Sequence, residues 1–229
     1  MSDMRTDRPF LTDVETRRDR AREQMMQGAV TATYSGDPAV ATSILNEALA
    51  TELVCVLRYQ RHYFTAQGIH SASVKKEFQQ HAAEEQVHAD RLAERIVQLG
   101  GTPNFSPVGL ATRAHTEYDE HIDIIQMIAE DLVAERIAID SYREMAAWFA
   151  PFDSTTRRML EEIQAQEEEH ADDLAELLRN LTPRGGDLRD RPWPRGRHHG
   201  KAIRGCRWCT TEAPSLGRTT MTMPHHSRH

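Results

Sequence analysis

Two short stretches hold the residues best suited to chemistry. Residues 83–96 read Ala-Glu-Glu-Gln-Val-His-Ala-Asp-Arg-Leu-Ala-Glu-Arg-Ile, and residues 165–178 read Ala-Gln-Glu-Glu-Glu-His-Ala-Asp-Asp-Leu-Ala-Glu-Leu-Leu. At an offset of 82, eight of the fourteen positions are identical. Both contain Glu-x-x-His: Glu85 with His88, and Glu167 with His170. Three residues is close to one helical turn, so on a helix the carboxylate and the imidazole of each pair point the same way. A hard oxygen donor beside a borderline nitrogen donor is a metal-ligand combination.

The elements that position these pairs are read from periodicity. Going back from Glu85 lands on Glu52 in Ala-Thr-Glu-Leu-Val-Cys-Val-Leu-Arg-Tyr, and going back from Glu167 lands on Glu135 in Val-Ala-Glu-Arg-Ile-Ala-Ile-Asp-Ser-Tyr. Both segments carry a Tyr seven residues after the Glu, Tyr59 and Tyr142. The chain therefore reads as a duplicated helical hairpin with half a metal site in each copy. The first helix is expected from Pro38 to Gln67, with the inward stripe Leu45, Leu49, Glu52, Val56, Tyr59, Tyr63. The second is expected from Ala72 to Leu99, with Val74, Phe78, His81, Glu85, His88, Leu92, Leu99. The third is expected from Asp119 to Phe149, with Ile125, Ile128, Leu132, Glu135, Ile139, Tyr142, Phe149. The fourth, capped by Asp153 or Ser154, runs to Leu181 with Leu160, Ile163, Glu167, His170, Leu174, Leu177. Residues 100–118, with Pro103, Pro107 and Gly109, are long enough to cross the bundle between the second and third helices.

In each helix a Glu occupies a core position. A buried carboxylate without a partner costs several kcal/mol or takes up a proton. Two divalent cations balance four carboxylates, and two neutral imidazoles complete the shell. One Glu on a helix is ordinarily a solvated surface residue, and one Glu-x-x-His is mostly chance. The order Glu, Glu-x-x-His, Glu, Glu-x-x-His on four long helices is the di-metal pattern of a four-helix bundle. The expected ligands are Glu52, Glu85, His88, Glu135, Glu167 and His170. Tyr59 and Tyr142 are expected as core aromatics able to hydrogen-bond a ligand carboxylate. His62 and His81 are weaker candidates beside the stripes. Glu84, Glu94, Glu168 and Glu169 are expected on the solvent side, and Cys55 as a small buried residue.

Charged residues make up 28% and aromatics 6% of the 229 residues. The net charge of −7 is unevenly spread: residues 183–229 hold ten Lys/Arg against three Asp/Glu, so the body is strongly acidic. An acidic body suits the handling of cations. Three domain-level segments are expected: a mobile arm over 1–36, with a short helical piece near Asp19 to Gln27; the bundle over 37–182; and a basic, disordered tail over 183–229. In the tail, Cys206-Arg-Trp-Cys209 with His198, His199, His225 and His226 is a weak zinc or iron signal, because only one Cys pair is present. No apolar leader and no run near 18 apolar residues is read, so a cytoplasmic location away from membranes is expected.

With these residues on the page, 40–181 resembles the ferritin-like superfamily, bacterioferritins most closely. Leu45-Asn-Glu-Ala-Leu-Ala-Thr-Glu52-Leu53 is similar to that family's first helix, and His88-Ala-Asp-Arg-Leu-Ala-Glu-Arg-Ile96 to the end of its second. The resemblance implies a ferritin-like all-α bundle with a di-iron centre. In it Glu85 and Glu167 bridge two metals, while Glu52 with His88, and Glu135 with His170, are terminal ligands. Gln86 stands where the family's haem-ligating methionine falls, so the resemblance does not extend to haem. Residues 183–229 lack the apolar period of the family's fifth helix, so at least a homodimer is expected and cage size is left open. The implied function is a ferroxidase that oxidises Fe(II) with O2 or H2O2 for iron storage and detoxification. Two alternatives stay open. One is peroxide removal at the same ligands with iron or manganese, as in rubrerythrins or manganese catalases. The other is a non-enzymatic metal- or DNA-binding role, in which the basic tail contacts nucleic-acid phosphates.

Overall fold

The structure is a computed structural model that describes residues 12–69 and 71–182. Among them are six helices: α1 Val14–Glu23, α2 Pro38–Thr65, α3 Ser71–Gln98, α4 Leu110–Arg113, α5 Ile124–Phe149 and α6 Ser154–Leu181. Four long helices form the bundle, and its pairs are α2 with α3 and α5 with α6.

Local chemistry sets the helix ends. Asp37 caps α2 by accepting the amide N–H groups of Ala39 and Val40, with Pro38 in the first turn where its missing N–H is harmless. Asp153 caps α6 by accepting from Thr156 N. Gly100 takes φ 82° directly after α3, in the left-handed region where a side chain is strained. The third long helix was expected from Asp119 but starts at Ile124. Asp123 caps it by accepting from Ile125 and Gln126 N–H. Asp119 instead faces His62 of α2 at 3.3 Å.

One end of the bundle is mostly apolar, with a buried ion pair, Arg95–Asp153, braced by Thr156. Leu45 and Leu49 of α2, Leu92 and Ile96 of α3, Tyr142 and Phe149 of α5, and Leu160 and Ile163 of α6 form one buried cluster. Each fully buried Leu, Ile or Phe stabilises the fold by about 1.5–3 kcal/mol. That register makes α2 antiparallel to α3 and α5 antiparallel to α6. The connection after α3 therefore runs the length of the bundle to reach the start of α5. Thr51 and Asn46 of α2 bind its backbone at His115 and Asn104.

The end of the N-terminal segment read as a mobile arm is docked on the bundle, whereas α1 buries no residue. Val30 and Tyr34 pack against the apolar cluster. Tyr34 also meets Phe152 edge-on at 5.8 Å and donates to Asp153. The helical piece placed near Asp19 to Gln27 lies earlier, at α1. The tail over 183–229 lies outside the described residues, as do its cysteines and histidines. α2 is long and apolar enough to cross a membrane, with an 18-residue window of mean hydropathy 1.5, which differs from the sequence expectation. Many of its apolar residues are core residues, Leu57 and Phe64 being exposed, and the same helix buries Glu52, Arg58 and His62.

Candidate metal centre

Midway along the bundle, the apolar stripe of each long helix is interrupted by a buried carboxylate. Glu52, Glu85, Glu135 and Glu167 are each at most 1% exposed, and His88 and His170 are buried beside them. Two groups of four donors result, each with all its ligand atoms within 4.8 Å of one another: Glu52, Glu85, His88, Glu167; and Glu85, Glu135, Glu167, His170. Glu85 and Glu167 belong to both. All six residues expected as ligands from the sequence are brought together.

The hydrogen bonds decide which atoms face inward. Tyr142 OH donates to Glu52 Oε1, and Tyr59 OH donates to Glu135 Oε1, each crossing from one hairpin to the other. His88 Nε2 lies 2.9 Å from Gln166 Oε1, and His170 Nε2 lies 2.9 Å from Glu84 Oε2. Each terminal carboxylate thus has one oxygen tied and one free, and each imidazole has its outer nitrogen tied and Nδ1 free. Among these six residues, the buried side-chain atoms left without a hydrogen bond are Glu52 Oε2, Glu135 Oε2, both oxygens of Glu85 and of Glu167, and Nδ1 of both histidines.

These atoms fall into two sets. His88 Nδ1 lies 3.5, 3.4 and 3.0 Å from Glu52 Oε2, Glu85 Oε2 and Glu167 Oε1. His170 Nδ1 lies 3.3, 4.0 and 3.3 Å from Glu85 Oε1, Glu135 Oε2 and Glu167 Oε2. Each free atom is used once, with four donors per set and one oxygen of each shared carboxylate in each. Eight buried polar atoms without partners are intolerable in a protein core unless something else occupies the space they face.

Proton affinities give the same reading. Burial, with the Glu85 charge beside it, pushes Glu52 up to about 8. Burial and the Glu85 and Glu167 charges push Glu135 well above the carboxylate range. Burial also opposes charge on Glu85 and Glu167, but contact with Glu52 and then the histidines at Glu85, and with the histidines at Glu167, more than reverses it, and both sit low. Burial likewise opposes charge on His170, yet the Glu167 and Glu85 carboxylates raise it to about 11, and His88 is raised too. Without cations, four protons stand in for positive charge. Two divalent cations supply the same charge and displace those protons, because carboxylate and neutral imidazole are the ligating forms. The donor set therefore fits two small divalent ions with oxygen-rich shells. Burial and the facing carboxylates keep Tyr59 and Tyr142 neutral, and so donors.

Sequence reasoning missed the residues that orient the histidines. Glu84 was expected on the solvent side, but it is half-buried and holds His170. Gln166 does the same for His88. The signal was present, because the two repeats align Glu84 with Gln166, each one residue before a shared Glu. His62 is not in the centre. It lies 2.9 Å from Asp131, which pairs with Arg58 at 2.8 Å, and all three are buried. His81 stacks on His170 with ring centroids 4.1 Å apart.

Four antiparallel helices that each bury a carboxylate at one level have the architecture of a helical bundle able to hold metal ions at its middle. The chain is a member of the ferritin-like family, whose ferritin-like domain pattern matches residues 42–183. It is 35% identical over 137 residues to a nutrient stress-induced DNA-binding protein of Synechococcus sp., covering 58% of this chain and 78% of that one. It is 28% identical over 153 residues to the bacterioferritin of Mycobacterium leprae, covering 67% and 92%. Among solved structures, it is similar to a dodecameric thioferritin, a bacterioferritin-related protein from Bacteroides fragilis. There the TM-score is 0.61 at 33% identity, covering 63% of this chain and 88% of that one. A ferritin-like, diiron-carboxylate protein from Bacillus anthracis gives 0.56 at 30%, covering 63% and 99%.

Proposed function

We propose that the chain is a ferroxidase that binds two Fe(II) per bundle and oxidises them for iron storage and detoxification. One observation carries this: eight unpartnered buried donor atoms sort into two sets of four that share Glu85 and Glu167. In this reading Glu85 and Glu167 bridge the two ions, with Glu52 and His88 terminal on one and Glu135 and His170 on the other. Iron supplies the redox step: two Fe(II) give up one electron each, and with two protons these reduce O2 to H2O2, or H2O2 to two waters. The chain's part is to hold anionic oxygens around the ions, which favours Fe(III) over Fe(II). Tyr59 and Tyr142 tie Oε1 of Glu135 and of Glu52, which leaves Oε2 of each free for an ion. Glu84 and Gln166 fix the ring of each histidine. Manganese fits the same donors, and then the reaction is peroxide removal.

The test is anaerobic Fe(II) titration of metal-free protein, followed by O2 or H2O2. Two rapidly oxidised irons per chain support the reading, and the faster oxidant tells storage from peroxide removal. Failure to bind or oxidise iron overturns it. A second reading follows from the Synechococcus relative, named as a DNA-binding protein: an iron-handling bundle that also holds nucleic acid through the basic segment 183–229. Deleting that segment then abolishes DNA retention and leaves iron oxidation intact. The relative described as dodecameric favours a closed homo-oligomer over a lone dimer.

A further inference from the structure

The duplicated framework changes polarity at two positions one turn apart. His81 aligns with Ile163 and Glu77 with Met159, so one hairpin is polar where the other is apolar. His81 is fully buried, and neither ring nitrogen has a hydrogen-bond partner. Its Nε2 lies 3.4 Å from Glu77 Oε1 and 3.8 Å from Asp173 Oδ2. Glu77, His81 and Asp173 have ligand atoms within 4.8 Å of one another, and so do His81, Glu84 and His170. His81 thus stands in two overlapping donor groups. The outer one opens to solvent at Asp173, whose side chain is 54% exposed. The inner one contains His170 of the centre.

We propose that Glu77, His81 and Asp173 form a third divalent-cation site, where Fe(II) is first held before it passes His81 to the Glu135–His170 position. Two carboxylates and an imidazole are a hard-to-borderline donor set suited to Fe(II), Co(II) or Mn(II). With only three protein ligands and an open side, the site completes its shell with water, so it binds more weakly than the centre and exchanges faster. Its position gives direction. A cation leaving Asp173 meets His81 next, and His81 lies flat against His170. Binding at this site stands independently of the proposed ferroxidase activity, whereas its role in loading rests on that reading.

The test uses the full-length chain and Co(II) as probe. Crystals soaked in Co(II) are expected to show an anomalous peak at Glu77, His81 and Asp173, besides two at the centre. The double variant Glu77→Gln, Asp173→Asn, which alters only partly exposed side chains, is expected to lose that peak alone. No outer peak in the wild type, or a peak that survives the double variant, overturns the site. An outer peak with no central peaks overturns the centre and leaves this site standing. For loading, oxidation of sub-saturating Fe(II) is expected to slow about tenfold in the double variant, as for lost electrostatic capture, and to be unchanged at saturating iron. An equal rate at low iron overturns the loading role.

Discussion

The two ends of the bundle hold four helices together by different balances of apolar packing and buried charge, with the centre between them. At the end formed by the start of α2 and the end of α5, Leu45, Leu92, Ile96, Phe149, Leu160 and Ile163 form an apolar cluster, with a buried ion pair, Arg95–Asp153 at 3.0 Å, beside it. At the other end, Arg58, His62 and Asp131 are buried as an ion-paired network, and Arg61 donates to the backbone carbonyls of His121 and Glu120. His81 lies at the same end. The pseudo-two-fold of the duplication exchanges the two ends. Both copies keep the ligands and the tyrosines, while the surroundings diverge. The centre needs both copies alike, whereas the route into it and the anchoring of the crossover need only one side.

The largest expected effect lies where the ends meet. Glu85→Ala removes a donor from both sets at once, and fast iron oxidation should fall by at least about 100-fold, while circular dichroism shows the helices retained. Unchanged oxidation in that variant defeats the assignment of Glu85.

Next come the two kinds of core. Leu160→Ala at the apolar end should cost about 2–5 kcal/mol in urea unfolding. Arg58→Met should cost about 3–5 kcal/mol, because buried Asp131 loses its guanidinium partner and keeps only His62. A loss below about 1 kcal/mol in Arg58→Met would show that the polar end does not depend on the pair.

The ends should also differ in pH response. Burial alone lowers the pKa of His62, but the Asp119 and Asp131 carboxylates against it hold it above the usual value. A raised histidine contributes stability that is full below its unfolded value of about 6.5 and lost as pH rises through the folded value. Burial opposes charge on Asp119, but contact with His62 and then His121 lowers it to about 2, so its contribution is present above about 3.9 and fades as pH falls towards 2. The stability difference between wild type and His62→Asn should therefore be greatest between about pH 4 and 6.5 and narrow above that range. The Leu160→Ala difference should be flat with pH. Two flat differences would remove the electrostatic distinction between the ends.

The smallest expected effect makes the two halves alike. Glu84→Gln gives His170 the same kind of partner that Gln166 gives His88. Losing a carboxylate partner lowers ligand basicity, so affinity at the Glu135–His170 position should drop by about tenfold. Isothermal titration should resolve it as one weakened site beside one unchanged.

How much of this was legible in the sequence follows from what repeats and what does not. The six candidate ligands sat at helical spacing within apolar stripes, and the repeat pointed to them twice. The tyrosines were visible for the same reason, although their crosswise pairing with Glu52 and Glu135 depends on packing between hairpins. Arg58 and Asp131 were not singled out, because a buried ion pair across two helices leaves no period in either. The offset that aligned the ligands also aligned His81 with Ile163, and this mismatch was the readable sign that the polar end was special. The start of α5 was misplaced by a few residues because Asp119, which resembles a cap, is held by His62 and His121.

The claim that most needs testing is that one pair of carboxylates serves two ions. Mössbauer spectroscopy of metal-free protein loaded with two equivalents of iron-57 and oxidised by O2 tests it directly. The predicted spectrum at liquid-helium temperature is a non-magnetic quadrupole doublet from two coupled Fe(III) ions, lost in Glu85→Ala. A magnetically split spectrum of isolated high-spin Fe(III) in the wild type would contradict the shared-ligand centre.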